Sequence, residues 1–397
     1  MTAVSPSSSL ADRLLVALRK TLPGSIPLAL HEPLFTGNEW LYVKECIDTG
    51  WVSSVGKFVD QFEHQLSELT GSRYAIATVN GTAALHVALK LAGVQPGDEV
   101  LVPALSFVAT ANAVANCGAI PHFLDSDPMT LGVCAGATRE YLNSIAERTG
   151  SSLRNKRTGR RLSAVVPMHA FGHPADLDGL IGVANDFGLP LVEDAAESLG
   201  SLYHGQHTGT FGKFGALSFN GNKIITTGGG GAILTQDPEL ARQAKHLTTT
   251  AKIPHRWEFF HDEVAWNYRL PNLNAALGCA QLERLEGFLS SKRLLAARYQ
   301  EAFKGDPEIR FALEPQGCRS NYWLNTIILR EPSISVRDQL LEASNKAGFM
   351  TRPAWTLLNT LPMYSGSPAA PLTEAERLVA SIINLPSGPS IALGAAV

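Results

Sequence analysis

Apolar positions in the N-terminal part of the chain recur at helical spacing. Over 10–21, Leu14, Leu15, Ala17 and Leu18 share one face before Pro23-Gly24 interrupts the pattern. Stretches 38–49 and 59–69 keep the same period and run into Gly50 and Gly71, residues that accept the left-handed turn closing a helix. From Tyr74 the pattern changes. Short runs at 74–79, 99–103, 120–124, 164–167, 189–192 and 232–234 are apolar at consecutive rather than alternate positions. A strand apolar on both faces is covered on both faces, so these runs predict a mostly parallel central sheet flanked by helices. The covering helices are predicted over 83–92, 107–116, 177–187 and 238–247, and the fold class is α/β. A helix over 272–288 carries Leu273, Ala276, Leu277, Ala280 and Leu285, then leads through 292–303 into a smaller α/β unit. That unit is predicted to hold a strand over 322–329 and a helix over 336–347. The expected division is a leader helix within 1–30, a large domain over 31–305 and a small C-terminal domain over 306–397.

Composition narrows the classes. With 45% hydrophobic and 17% charged residues, the chain of 397 residues is an ordinary globular protein able to bury a large core. A net charge of −3 gives no whole-chain attraction to nucleic acid. The basic run 154–161 lacks interleaved aromatic residues and reads as a solvated loop. Five cysteines, odd in number and never in a C-x-x-C pair, argue against a disulfide framework or a zinc ribbon. No apolar run is long enough to span a bilayer, and the N-terminus lacks a basic-then-apolar signal. A cytoplasmic protein with neither membrane nor nucleic acid as partner is expected.

Candidate chemistry clusters around Lys223. An apolar run ends in Glu193-Asp194-Ala195-Ala196-Glu197, and about thirty residues later Lys223 stands between Ser218 and the glycines Gly228 to Gly231. A pyridoxal 5′-phosphate (PLP) site requires this set. The lysine forms the Schiff base, the acid pairs with the protonated pyridine nitrogen, and small residues admit backbone to the cofactor. Taken singly, Asp194 also reads as a helix cap and Lys223 as a surface lysine. Asn80-Gly81-Thr82-Ala83 resembles an anion-binding helix start, with Gly81 allowing close approach and Thr82 and Ala83 offering donors. Ser218 would add a second hydroxyl for the phosphate. Phe107, where a strand gives way to a helix, could stack on the pyridine or be an ordinary core aromatic. His204 and His207 lack the spacing of a metal site, and no metal is expected. Neither a Walker loop nor G-x-G-x-x-G follows a strand, so ATP and NAD lack support.

These blocks together resemble the nucleotide-sugar aminotransferases of the DegT/StrS type, which are fold-type I PLP-dependent transferases. The resemblance rests on residues 50–56, 80–85, 103–112, 193–200, 218–231 and 267–281. It implies that Lys223 carries the cofactor and shuttles the proton, that Asp194 binds the pyridine nitrogen, and that Thr82, Ala83 and Ser218 bind the phosphate. Glu197 occupies a position usually held by His or Gln, which touches the cofactor's phenolic oxygen. A carboxylate there would repel a phenolate unless protonated or bridged. Asn267 would reach the phosphate of the neighbouring subunit, so a homodimer with shared sites is implied. Residues 52–59 look most like the branch that aminates C4 of a UDP-linked 4-keto-6-deoxyhexose from L-glutamate, in legionaminic-acid-like or bacillosamine-like sugar biosynthesis. Amination at C3 stays open. The family's dehydratase branch replaces the lysine by histidine, which Lys223 argues against. A non-catalytic PLP-binding regulator should carry a DNA-binding module, for which the stretch before Pro33 leaves little room.

Overall fold

A computed structural model describes residues 9–22, 27–150 and 152–393. The apolar runs become one central sheet. Its strands lie in the order Ile120–Leu124, Glu99–Pro103, Leu162–Val165, Val192–Asp194, Phe214–Ser218, Gly231–Thr235 and Tyr74–Thr78. Parallel bridges Val165 to Leu191 and Met168 to Asp194 join the two halves. Only Gly231–Thr235 runs antiparallel to its neighbours. Successive residues of one strand feed opposite cores. Ile233 and Ala216 pack with Leu85, Val87 and Val102, whereas Ala232, Leu217 and Leu234 pack with Phe62, Phe219 and Ala276. Burial on both faces explains why these strands read as unbroken apolar runs. The α/β class with a mostly parallel, helix-flanked sheet is as expected.

Gly50 and Gly71 close the helices Glu39–Thr49 and Lys57–Thr70 in left-handed conformation, at φ 74° and 69°. Helix Leu10–Thr21 begins on Ser9, whose hydroxyl accepts from the Asp12 amide, while its predicted stop at Pro23-Gly24 reaches outside the described residues. Its Leu14 and Leu18 are fully buried against Leu295, Tyr299, Ile327 and Leu340, in the core of the C-terminal sheet. That sheet is antiparallel, ordered Ile309–Phe311, Asn325–Leu329, Ile382–Leu385 and Arg352–Pro353.

Three expectations are corrected. The helix predicted over 272–288 is two helices, Asn272–Leu282 and Leu285–Ala302. Glu283 at the junction is held by the Tyr42 hydroxyl at 2.6 Å and Asn38 at 2.8 Å, and Arg284 adopts ψ −8°, which turns the chain. The strand predicted over 322–329 begins only at Asn325, because Tyr322 takes φ 47° and Trp323 is diverted towards Lys223. The strand predicted over 189–192 shifts to Val192–Asp194, where pairing with Phe214–Ser218 carries it to Asp194. The basic run 154–161 lies in and beyond the hairpin strand Ser152–Asn155, where Arg161 pairs with Asp98 and Thr158 donates to Glu99 at 2.6 Å.

Candidate active site

Parallel strands deliver their C-terminal ends, and the helices that follow them, to one edge of the sheet. Helix Gly81–Leu91 starts there. Asn80 caps it, its side chain accepting the Ala83 amide at 2.8 Å, while the Gly81 and Thr82 amides have no protein acceptor among the described residues. Free amides at the positive end of a helix dipole make an anion cradle. Gly81 is required sterically: a β-carbon there would stand 2.8 Å from Cβ of Ser218. Gly231 serves the same approach, since a β-carbon on it would meet the Asn80 backbone at 2.5 Å.

Asp194, at the end of its strand, is buried. Its carboxylate accepts from the Thr110 hydroxyl at 2.7 Å and from the Ala196 amide at 3.2 Å. Burial pushes its pKa up despite these hydrogen bonds and the nearby Lys223 charge. The Lys223 amine lies 3.2 Å from Glu197 and 4.0 Å from the centre of the Trp323 ring. Glu197 also accepts the Phe171 amide at 2.9 Å, yet burial pushes its pKa up to about 7, with the Lys223 charge opposing.

This raised value has a consequence for stability. Between the ordinary carboxyl value of 4.5 and about 7, the folded cofactor-free protein keeps a proton on Glu197 that the unfolded chain has lost. Glu197 therefore costs nothing below that window, and its cost grows as pH rises through it. Glu197→Gln removes the cost, so the variant is expected to gain on the wild type by up to about 3 kcal/mol between acid and neutral pH. Urea melts of both cofactor-free proteins across that range check this; a constant difference would sink it.

A strained loop fixes the wall opposite. Phe171 takes φ 57°, stacks on Trp355 at 4.8 Å and accepts the Leu324 amide on its carbonyl. Asn321 then ties its own segment to 197–199: its side chain donates to the carbonyls of Glu197 and Leu199 and accepts the Trp323 amide at 2.7 Å. Gly172, at φ 94°, lies so close to the Asn321 side chain that a β-carbon would overlap it. Strain and overlap together should cost Gly172→Ala about 2–5 kcal/mol, measurable as a lower thermal midpoint. An unchanged midpoint would show that the clamp yields. Behind Asp194, Glu193 accepts the amides of Gly209, Phe211 and Gly212, each at 2.7 Å, and pairs with His169 at 3.1 Å.

One cavity of about 340 Å³ brings together Gly81, Thr82, Phe107, Asp194, Glu197, Ser218 and Lys223. Ala83 does not line it, its amide being spent on the Asn80 cap. Asn267 lies outside, exposed, its side chain accepting from Arg269 at 2.9 Å. His207 is a buried structural residue that accepts the Gly200 amide at 2.7 Å. Trp323, Trp355, Asn222 and Thr110 were not read from the sequence. Thr110 left a trace, standing four residues after its hydroxyl partner Ser106, whereas the tryptophans lie too far along the chain to leave one. A larger groove of about 530 Å³ beside Trp51 and Lys57 shares no lining residue with this cavity. The donor set fits a phosphorylated pyridine aldehyde: a free-amide cradle for phosphate, a buried carboxylate for a ring nitrogen, and a lysine amine lining the same cavity.

The sequence as a whole points the same way. A model of the DegT/DnrJ/EryC1/StrS aminotransferase family matches residues 35–396. GDP-perosamine synthase of Caulobacter vibrioides is 36% identical over 91% of this chain and 93% of its own length. The putative pyridoxal phosphate-dependent aminotransferase EpsN of Bacillus subtilis is 37% identical, over 84% of this chain and 83% of its own. Among solved structures, the aminotransferase TlmJ of Streptoalloteichus hindustanus superposes with a TM-score of 0.80 at 30% identity, covering 90% of this chain and 93% of its own. DesI, solved with its TDP-sugar product, gives a TM-score of 0.81 at 28% identity, over 96% and 93%. With a cavity chemically suited to PLP and a family match spanning nearly the whole chain, this protein belongs to the DegT/DnrJ/EryC1/StrS aminotransferase family and is a PLP-dependent enzyme.

Proposed function

We propose that the protein transfers the amino group of L-glutamate to C4 of a nucleotide-linked 4-keto-6-deoxyhexose. The observation that carries this reading is the Lys223 amine, held 3.2 Å from Glu197 in the cavity that also holds Asp194 and the free amides of Gly81 and Thr82. Asp194 would hold the pyridine nitrogen; the Gly81 and Thr82 amides and the Ser218 hydroxyl would hold the phosphate; Phe107 would cover a ring face. Bound PLP supplies an electron sink that acidifies the C–H bond beside the transferred nitrogen. Lys223 takes that proton from the donor carbon and returns one to the acceptor carbon. Glu197, whose burial favours the protonated form, would meet the phenolic oxygen as a neutral donor, which removes the repulsion a carboxylate would bring.

The nucleotide and the carbon are separate questions. The sequence resemblance favours a UDP-linked sugar aminated at C4, while three relatives at 34–36% identity are named as GDP-perosamine synthases. The reading extends to a homodimer in which Asn267 serves the neighbouring site. Exposed Trp51, Val52, Val55, Trp257, Phe259 and Phe260 support a covered surface. Among the described residues no helix is long and apolar enough to cross a membrane.

The test is turnover of purified, PLP-loaded protein with L-glutamate and matched UDP- and GDP-linked 4-keto-6-deoxyhexoses, with the product's amino position read by NMR. A 4-amino product on either nucleotide supports the reading and names the carrier. A 3-amino product, or none, overturns it.

A further inference from the structure

Two buried hydroxyls stand in line on Asp194, and neither lines the cavity. Thr110 donates to the Asp194 carboxylate at 2.7 Å, and Ser106 meets Thr110 at 2.7 Å. The chain itself sets this spacing. Ser106 follows the strand Glu99–Pro103, and Thr110 stands in the first turn of the helix Ala109–Asn116. The Thr110 amide donates to the Phe107 carbonyl at 3.2 Å and closes the turn between them. One turn thus delivers Phe107 to the cavity and keeps the two hydroxyls out of it.

A hydroxyl has a single hydrogen to donate, and an ionised carboxylate can only accept. The Thr110 hydrogen is therefore spent on Asp194, so the hydrogen between the two hydroxyls comes from Ser106. The bonds run one way, from Ser106 to Thr110 to Asp194. A proton placed on the Asp194 oxygen that faces Thr110 would reverse them. The Ser106 hydrogen would then have no acceptor among the described residues, in a buried place where an unpaired donor is costly. Charged Asp194 is thus the state that satisfies the pair. Burial works against that charge, while Lys223 and His169 favour it and Glu197 opposes it. A donor that itself accepts a hydrogen bond is also the stronger donor, so Ser106 adds to what Thr110 supplies.

We propose that Ser106 and Thr110 are positioning residues for the cofactor: together they hold Asp194 charged and oriented for the pyridine nitrogen, and so set how tightly PLP binds and how well its ring draws electrons. The inference rests on the placement of Asp194 in the function proposed above. A ring nitrogen paired with a less stable carboxylate gives up its proton more readily, so affinity and turnover should fall together.

Equilibrium dialysis of PLP against cofactor-free protein tests this in a double-mutant cycle. Thr110→Val, close to threonine in shape, is expected to weaken PLP binding by about 10-fold in the wild-type background and by less than about twofold in Asp194→Asn. Thr110→Ser keeps the hydroxyl and should restore most of the affinity. Ser106→Ala should weaken binding by about 2- to 5-fold, again only where Asp194 is present, and it carries the comparison if the valine variant does not fold. Unchanged affinity in the valine and alanine variants, equal weakening in both backgrounds, or a serine variant as weak as the valine one would overturn the proposal and leave the pair as packing. An Asp194→Asn protein that binds PLP as tightly as the wild type would instead overturn the placement of Asp194, and this inference with it.

Discussion

Replacing Lys223 with alanine is expected to lower turnover by at least about 10³-fold, a loss of more than about 4 kcal/mol of transition-state stabilisation. Both half-reactions should fail together, because in the proposed function the same amine moves the proton at the donor carbon and at the acceptor carbon. The fold should survive. Among the described residues Lys223 makes one ion pair, with Glu197, and one contact over the Trp323 ring, and its side chain retains 11% exposure. Loss of the lysine leaves Glu197 buried without its cation, and that carboxyl already favours its proton, so it can answer by staying neutral. Rescue tests the assignment further. A small primary amine added to the variant should restore some proton transfer, whereas added ammonium-free salt should not. A variant retaining full activity would remove Lys223 from the chemistry and the proposed function with it.

What could be read in the sequence was what the chain keeps local. Asp194 announces itself as an acid ending an apolar run, and Ser218 and Lys223 flank a tight connection before a glycine run. Each of these signals is contained within a few residues. The strand positions were legible because burial on both faces forces consecutive apolar residues, while strand ends drifted by two or three residues where pairing partners, not composition, set the limits. The opposite wall was illegible. Phe171, Asn321, Trp323 and Trp355 meet through left-handed backbone at Phe171 and Tyr322 and through one asparagine side chain, and none of these leaves a period or a motif. The same geometry truncated the strand expected over 322–329, since the residues taken from the strand are those that build the wall. Ala83 shows the limit from the other side. A helix start can be recognised in sequence, but which of its amides is free depends on the cap, and Asn80 takes this one.

Asp194→Asn separates function from stability more sharply than any other substitution in the site. The carboxyl is buried, and its raised pKa means that the folded cofactor-free protein penalises the ionised form. A raised carboxyl pKa costs stability at any pH above the ordinary carboxyl range, so at neutral pH the neutral amide should be no less stable and should gain slightly. Its geometry can be kept: the amide oxygen can still accept from Ala196, and the Thr110 hydroxyl, which also bonds Ser106 at 2.7 Å, can accept from the new NH₂. Turnover should nevertheless fall by about 10³-fold, because a neutral amide cannot hold a pyridine nitrogen protonated and the electron sink weakens. PLP should also bind less tightly, which equilibrium dialysis measures independently of rate. The expected result is thus a protein that melts at the same temperature or higher, binds cofactor weakly and barely turns over. Retained turnover would mean that Asp194 does not face the ring nitrogen, and a collapsed melting temperature would mean that its hydrogen bonds to Thr110 and Ala196 matter more than its charge. The penalised charge belongs to the cofactor-free state, so the burial that destabilises Asp194 alone is also what would make its proposed pairing with a cationic ring strong.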